Sequence, residues 1–184
     1  MSNELSAYLE AHSRYQGLRD AAFHAVVDVW RGRVPREVDL RILPPYFIDA
    51  DALKFWSQLW GVIEKPAAVF PWDEIFDQIW TTPRRLDVAI WDGSLLCGFA
   101  AGMASRGNNV TIKFLESWPG DRNKLRGFIA PIAIDVADMY ARLLGKQWVM
   151  LKDPLPKAIA RYHDLGFRLD RTLKGHTYWK RIVE

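Results

Sequence analysis

From the start of the chain apolar residues recur at three- and four-residue steps. Leu5, Tyr8, Leu9, Tyr15, Leu18, Ala22, Val26 and Val29 form one stripe, which predicts a helix over residues 2–31. Gly17 allows a break near its middle, and Gly32 with Pro35 ends it. Residues 37–43 alternate Val38, Leu40 and Ile42 with Asp39 and Arg41, the pattern of a half-buried strand, and Pro44-Pro45 stops it. A second helix is predicted over 49–63 from Leu53, Phe55, Trp56, Leu59, Trp60 and Ile63. After a connector at 66–71, a short third helix covers 72–80, with Asp73 and Glu74 in the first turn, where the helix dipole favours carboxylates. From Arg85 the period changes to that of strands. One covers 86–91, Asp92-Gly93 is a hairpin signal, and 94–105 returns as a long apolar strand suited to the middle of a sheet. The turn Arg106-Gly107-Asn108-Asn109 leads to a strand at 110–117. A polar loop, a helix at 128–144 and a strand at 147–151 follow; a helical crossover makes that last strand a parallel neighbour. A helix at 157–165 capped by Gly166 and a closing hairpin (167–170 and 177–183, across Lys174-Gly175) complete the chain.

The stretch 110–152 therefore reads strand, loop, helix, strand. Such a turn aims unpaired backbone N–H groups and the positive end of a helix dipole at one point, which suits a phosphate. Pro131 falls in the first helical turn, where a missing N–H is harmless. Composition narrows the setting. The chain of 184 residues, 49% hydrophobic and 26% charged, is expected to be one globular domain with a sizeable core. A net charge of +3 permits an anionic ligand without the dense basic face usual for nucleic-acid binding. The single cysteine, Cys97, excludes an internal disulfide and a cysteine-based zinc site; no metal is expected. An N-terminus carrying Glu4 and Glu10 has no signal-peptide core, and no apolar run approaches the roughly 20 residues of a membrane span. A soluble cytoplasmic protein without a membrane partner is the expectation.

The order of elements resembles the GCN5-related N-acetyltransferase (GNAT) superfamily. Two segments carry the resemblance. Lys124-Leu125-Arg126-Gly127-Phe128-Ile129 looks like the family loop Arg/Gln-x-x-Gly-x-Gly/Ala, and Ala158 to Phe167 resembles its final helix, Ala-hydrophobic-x-x-Tyr-x-x-x-Gly-Phe. Lys124 stands where Arg or Gln is usual, and Ile129 where Gly or Ala is usual. Leu155 and Pro156 lie where an Asn is often found. A branched side chain at Ile129 is expected to narrow the approach of a pyrophosphate. The resemblance implies an α/β (α+β) acyl-CoA N-acyltransferase fold: a central, twisted, mixed but mostly antiparallel sheet flanked by helices. The segment 1–32 is then a helical extension that packs on its own domain or against another chain, as in a homodimer.

The resemblance further implies acetyl-CoA as co-substrate and direct acetyl transfer, in a ternary complex, to a small-molecule or peptide amine. The backbone of Lys124, Leu125, Arg126, Gly127, Phe128 and Ile129 would hold the pyrophosphate, and that of Leu115 and Ser117 would meet the oxyanion. Tyr162 would protonate the departing thiolate. Glu116 is the candidate base: it continues the strand face of Val110, Ile112 and Phe114, and burial there would raise its pKa toward a base's range. Each has a plainer reading, as a solvated basic loop, a packing tyrosine and an exposed strand-end glutamate. His163 is expected at the surface, Cys97 in the core, and His176 at most at the border of an acceptor cleft. That cleft would be walled by Trp56, Trp60, Trp72 and Trp80 with Asp73, Glu74 and Asp77, a lining suited to a cationic amine, although Trp56 and Trp60 also fit a core face. Two alternatives stand beside the enzyme: a catalytically silent module binding acyl-CoA or a protein partner, and transfer to aminoacyl-tRNA, to which Arg31, Arg33, Arg36 and Arg41 weakly point.

Overall fold

The computed structural model describes residues 2–47, 50–60 and 70–183. The N-terminal periodicity yields one helix, α1 (Ser2–Trp30), which runs through Gly17 without a break. Strand β1 (Leu40–Leu43) is shorter than its alternating pattern suggested. A small ladder of β2 (Tyr46–Phe47) and β3 (Ala50–Asp51) precedes α2 (Ala52–Leu59), whose first turn is capped by the Asp51 carboxylate accepting from the Lys54 N–H at 3.0 Å. The rest of the helix expected at 49–63, and most of the connector at 66–71, lie outside the described residues. Helix α3 (Trp72–Trp80) leads to the strands β4 (Arg85–Asp92), β5 (Leu95–Ala104) and β6 (Asn109–Ser117). Then come α4 (Ile129–Leu143), β7 (Trp148–Lys152) and α5 (Ile159–Asp164), which is entered through a 3-10 turn at Pro156–Ala158. The closing hairpin is longer than expected, β8 (Arg168–Leu173) and β9 (His176–Ile182).

Seven strands form one sheet in the order β1-β4-β5-β6-β7-β9-β8, and every pair is antiparallel except β6–β7. The parallel pair follows from the α4 crossover. Each face of the sheet has its own core. On one face α1 (Ala22, Phe23, Val26, Trp30) and α4 (Ile132, Ala133, Val136, Ala137, Tyr140) cover Val88, Ile90, Ala100, Val110 and Ile112. On the other, α2 and α3 build a layer of large rings in which Trp60, Trp72 and Phe76 pack on Trp91, Phe99 and Trp118. Most of the chain's tryptophans are thus structural.

The first helix is tied to the sheet by charge as well as by apolar contact. The Arg19 guanidinium, fully buried, meets Asp87 on β4 at 3.1 Å and donates to the Pro83 carbonyl at 2.8 Å. Arg85 donates from the other side to Asp87 at 2.7 Å. A single buried carboxylate therefore lies between two buried cations, an arrangement that is stable only while all three are present.

Candidate active site

The site begins with a fault in the sheet. Along β5 and β6 the partners are Ala101↔Phe114 and then Gly102↔Ile112, so Lys113 is an extra residue. A Cβ at Gly102 would collide with the Thr111 carbonyl, and the close approach of the two backbones there is open only to glycine. The bulge reverses the alternation of β6. Val110 and Ile112 face α4, whereas Phe114 and Trp118 belong to the aromatic side. Glu116 therefore does not share a face with Val110 and Ile112, as strict alternation had suggested; one extra residue turns it into the aromatic layer.

The second feature is an opening between the parallel strands. β6 pairs with β7 only from Asn109↔Trp148 to Ile112↔Leu151, and beyond that the two diverge. A cleft fills the gap, lined by Leu115, Phe114, Phe70, Leu151, Asp153 and Tyr162. Leu115 and Tyr162 pack with the α4 side, Phe70 and Phe114 with the aromatic side, so the cleft runs through the sheet. The Trp118 N–H donates to Cys97 on β5 at 2.9 Å. By alternation the N–H groups of Leu115 and Ser117 point the opposite way, away from β5, and Leu115 lines the opening.

Tyr162, on α5, is buried in this cleft, and its hydroxyl has no hydrogen-bond partner among the described residues. Burial pushes the phenol above its ordinary pKa, with Arg161 opposing. The tyrosine thus remains a proton donor through the neutral range. Glu116 is buried in the aromatic layer at 6% exposure, where the Trp72 indole N–H donates to Oε2 at 2.6 Å. Burial pushes its carboxyl up to about 7, against the hydrogen bonds from Trp72 and the Phe70 backbone, which favour the ionised form. A carboxylate that gives and takes a proton near neutrality is suited to general base work.

Next to α5, where Arg161 donates to the Gly127 carbonyl, lies the start of α4. The N–H groups of Gly127, Ile129 and Ala130 have no acceptor among the described residues, although flanking bonds such as Phe128 to Leu125 and Ile132 to Phe128 are made. Gly127 has φ +92°, a left-handed conformation that favours glycine. Three free donors at the N-terminus of a 15-residue helix are an arrangement able to take an anion, a candidate seat. Lys124 and Arg126 flank it, exposed, and Leu125 is buried beneath. Ile129 does not narrow the seat. Its side chain is 2% exposed and turned onto β5, where a Cβ at Gly98 would meet it. The branched side chain lies on the core side and leaves the backbone N–H toward the loop.

Several supporting residues carry no signal in the motif. Asn123, 4% exposed, donates to the carbonyls of Cys97 and Trp118 and to Ser117 Oγ, and its Oδ1 accepts from the Leu125 N–H at 3.1 Å. This pins the loop after β6; only the i to i+2 bond typical of Asn in turns was open to sequence reasoning. Arg161 reaches back from α5 to the Gly127 carbonyl. Trp72, expected as a cleft wall, is instead fully buried and bonded to Glu116 across 44 positions. Trp60 is core, whereas Trp56 lines an open cleft on the aromatic side with Tyr46, Asp51 and Asp73. Burial, the hydrogen bond to Asp77 at 3.0 Å and the charges of Asp73 and Asp51 push the Tyr46 phenol above its ordinary range. Trp80 is half exposed and packs on Arg85 at 4.6 Å. His163 is exposed. His176, exposed too, contacts Asp153 at 2.6 Å beside the opening. Burial pushes the Cys97 thiol up to about 12, as befits a core residue.

No family model matches the chain, and no curated protein does. Solved structures do. Ard1 from Thermoplasma volcanium is 16% identical, with TM-score 0.57, over 80% of this chain and 99% of that one. A point mutant of the spermidine N-acetyltransferase of Vibrio cholerae is 15% identical, with TM-score 0.54, over 80% and 95%. A GNAT-family protein from Desulfovibrio desulfuricans is 12% identical, with TM-score 0.54, over 79% and 99%. The chain has the GNAT fold. Among the described residues no helix is long and apolar enough to cross a membrane, and no cluster of metal-ligating side chains is present.

Proposed function

We propose that the protein is an acetyl-CoA-dependent N-acetyltransferase that transfers the acetyl group directly to an amine in a ternary complex. The observation that carries this reading is the opening between β6 and β7 that holds Tyr162, on a fold whose helix α4 begins with free N–H groups next to α5. The N–H groups of Gly127, Ile129 and Ala130 would hold the pyrophosphate, with Lys124 and Arg126 adding charge. When bound, acetyl-CoA supplies an activated thioester. The Leu115 and Ser117 N–H groups face the opening as oxyanion donors. Glu116 accepts the proton of the attacking amine, directly or through one water, and Tyr162 donates to the departing sulfur. The acceptor enters from the aromatic side, where Trp56, Tyr46, Asp51 and Asp73 form a cleft suited to a cationic amine. A catalytically silent module would be favoured by an Ile129 side chain in the loop and by Leu155 and Pro156 where an Asn is often found. With the Ile129 side chain turned into the core, only the second ground stands.

Isothermal titration with acetyl-CoA followed by turnover on an amine panel tests the proposal. Saturable binding with transfer to at least one amine is expected. Binding without turnover on any amine would favour the silent module, and no binding would overturn both readings. Within the same assay Tyr162→Phe is expected to lower kcat by about 10²-fold while leaving acetyl-CoA affinity close to wild type. Wild-type kcat in that variant would remove Tyr162 from the mechanism.

A further inference from the structure

Glu116 stands in the least polar part of the molecule, and a carboxylate buried among rings would ordinarily be neutral. What offsets this is one side chain. The Trp72 indole is fully buried and held on several sides: Phe76 stacks on it at 5.3 Å, Phe99 lies tilted at 4.9 Å and Phe70 edge-on at 5.7 Å. A ring packed in this way cannot turn, so its N–H is aimed at Glu116 Oε2 before any substrate arrives. We propose that Trp72 is the positioning residue of the reaction: its indole N–H fixes the Glu116 carboxylate in one orientation and favours its ionised form. Oε2 is taken by the indole.

Among the described residues no cation supplies this effect. The other charged groups on β6, α2 and α3 among the described residues are Lys113, Lys54, Asp73, Glu74 and Asp77, all of them exposed, and on β4 the buried Arg85 and Asp87 pair with each other. The titratable side chain of β5, Cys97, faces the opposite core. The Phe70 backbone is the one other group that favours the ionised form. Without the indole, burial acts on Glu116 with little opposition. A hydrogen bond to a charged group is worth about one to two pH units of titration.

The inference rests on Glu116 being the base, and the experiment separates the two. The pH dependence of kcat/KM is measured for wild type, Trp72→Phe, Phe76→Leu and Glu116→Gln. In Trp72→Phe the acid limb is expected to move up by about one to two pH units, with activity recovering toward wild type at high pH. Phe76→Leu removes packing on the same indole but no donor; it should lose stability and keep the wild-type limb. A limb unmoved in Trp72→Phe, or moved equally in Phe76→Leu, would overturn the inference. Unreduced activity in Glu116→Gln would instead sink the base assignment. A measurement on the wild type alone covers the case in which Trp72→Phe does not fold. The Trp72 indole proton resonance is expected to titrate with the midpoint of the kinetic limb, and a resonance that does not respond to pH would overturn the inference as well.

Discussion

Replacing Glu116 with glutamine is expected to lower kcat/KM on an accepted amine by about 10²–10⁴-fold and to abolish the acid limb of the pH profile. The substitution keeps shape and leaves an oxygen to accept from Trp72, so the loss reports the missing proton acceptor. In the wild type the limb should lie near the carboxyl's midpoint of about 7, with activity rising as pH rises through it. The same group makes a prediction about stability with the opposite sign. Its folded pKa is above its unfolded one, so the contribution to stability is complete below about 4.5 and is lost as pH rises to about 7. Glu116→Gln lacks this loss. Thermal unfolding of the two proteins should diverge in favour of the variant between those pH values and run parallel above them. Wild-type turnover in the variant, or unfolding curves that do not diverge, would place Glu116 outside the chemistry.

The other large effect concerns the fold. Asp87→Asn leaves the guanidiniums of Arg19 and Arg85 buried without a counter-charge, Arg19 at 0% and Arg85 at 4% exposure. Breaking such a cluster costs about 3–5 kcal/mol, a large part of a domain's total stability. For a chain of this length that corresponds to a fall of about 6–20 °C in the thermal midpoint. Calorimetry measures it directly. A change below about 1 kcal/mol, the range of exposed pairs, would show that the cluster is solvated and does not hold α1 to β4. Because these residues lie away from the opening, the folded variant should retain acetyl-CoA affinity at low temperature.

The elements of the core were legible because their signals are local. Period and punctuation specified the strands β4, β5 and β6, the α4 crossover and the parallel return of β7, and the two segments around Gly127 and Tyr162 are each contiguous in the chain. The turn before α4 belongs to this class: a glycine in a left-handed turn and free N–H groups at a helix start depend on neighbours in sequence. The segment around Tyr162 was legible for the same reason, since Tyr162 to Phe167 is contiguous in the chain.

What the tertiary structure alone decided are matters of direction and of distant pairing. The face of Glu116 depends on one extra residue, Lys113, and thus on how closely Gly102 lets β5 approach β6. Alternation read along β6 by itself gives the wrong side, because period 2 holds only between bulges. Ile129 was an obstacle on paper and is a core residue in space, since Gly98 on another strand makes room for it. The partner of Glu116, Trp72, lies 44 residues away, and the Arg19–Asp87 contact joins a helix to a strand more than sixty positions on. No periodicity connects such pairs; they are chosen by packing, when two faces of a sheet close on different layers. By itself, then, the sequence determined the architecture and the glycine turn with free N–H groups at the start of α4, whose physics is local. The tertiary structure decided which carboxylate is desolvated and what holds it, because burial belongs to the assembled layers and to no single segment of the chain.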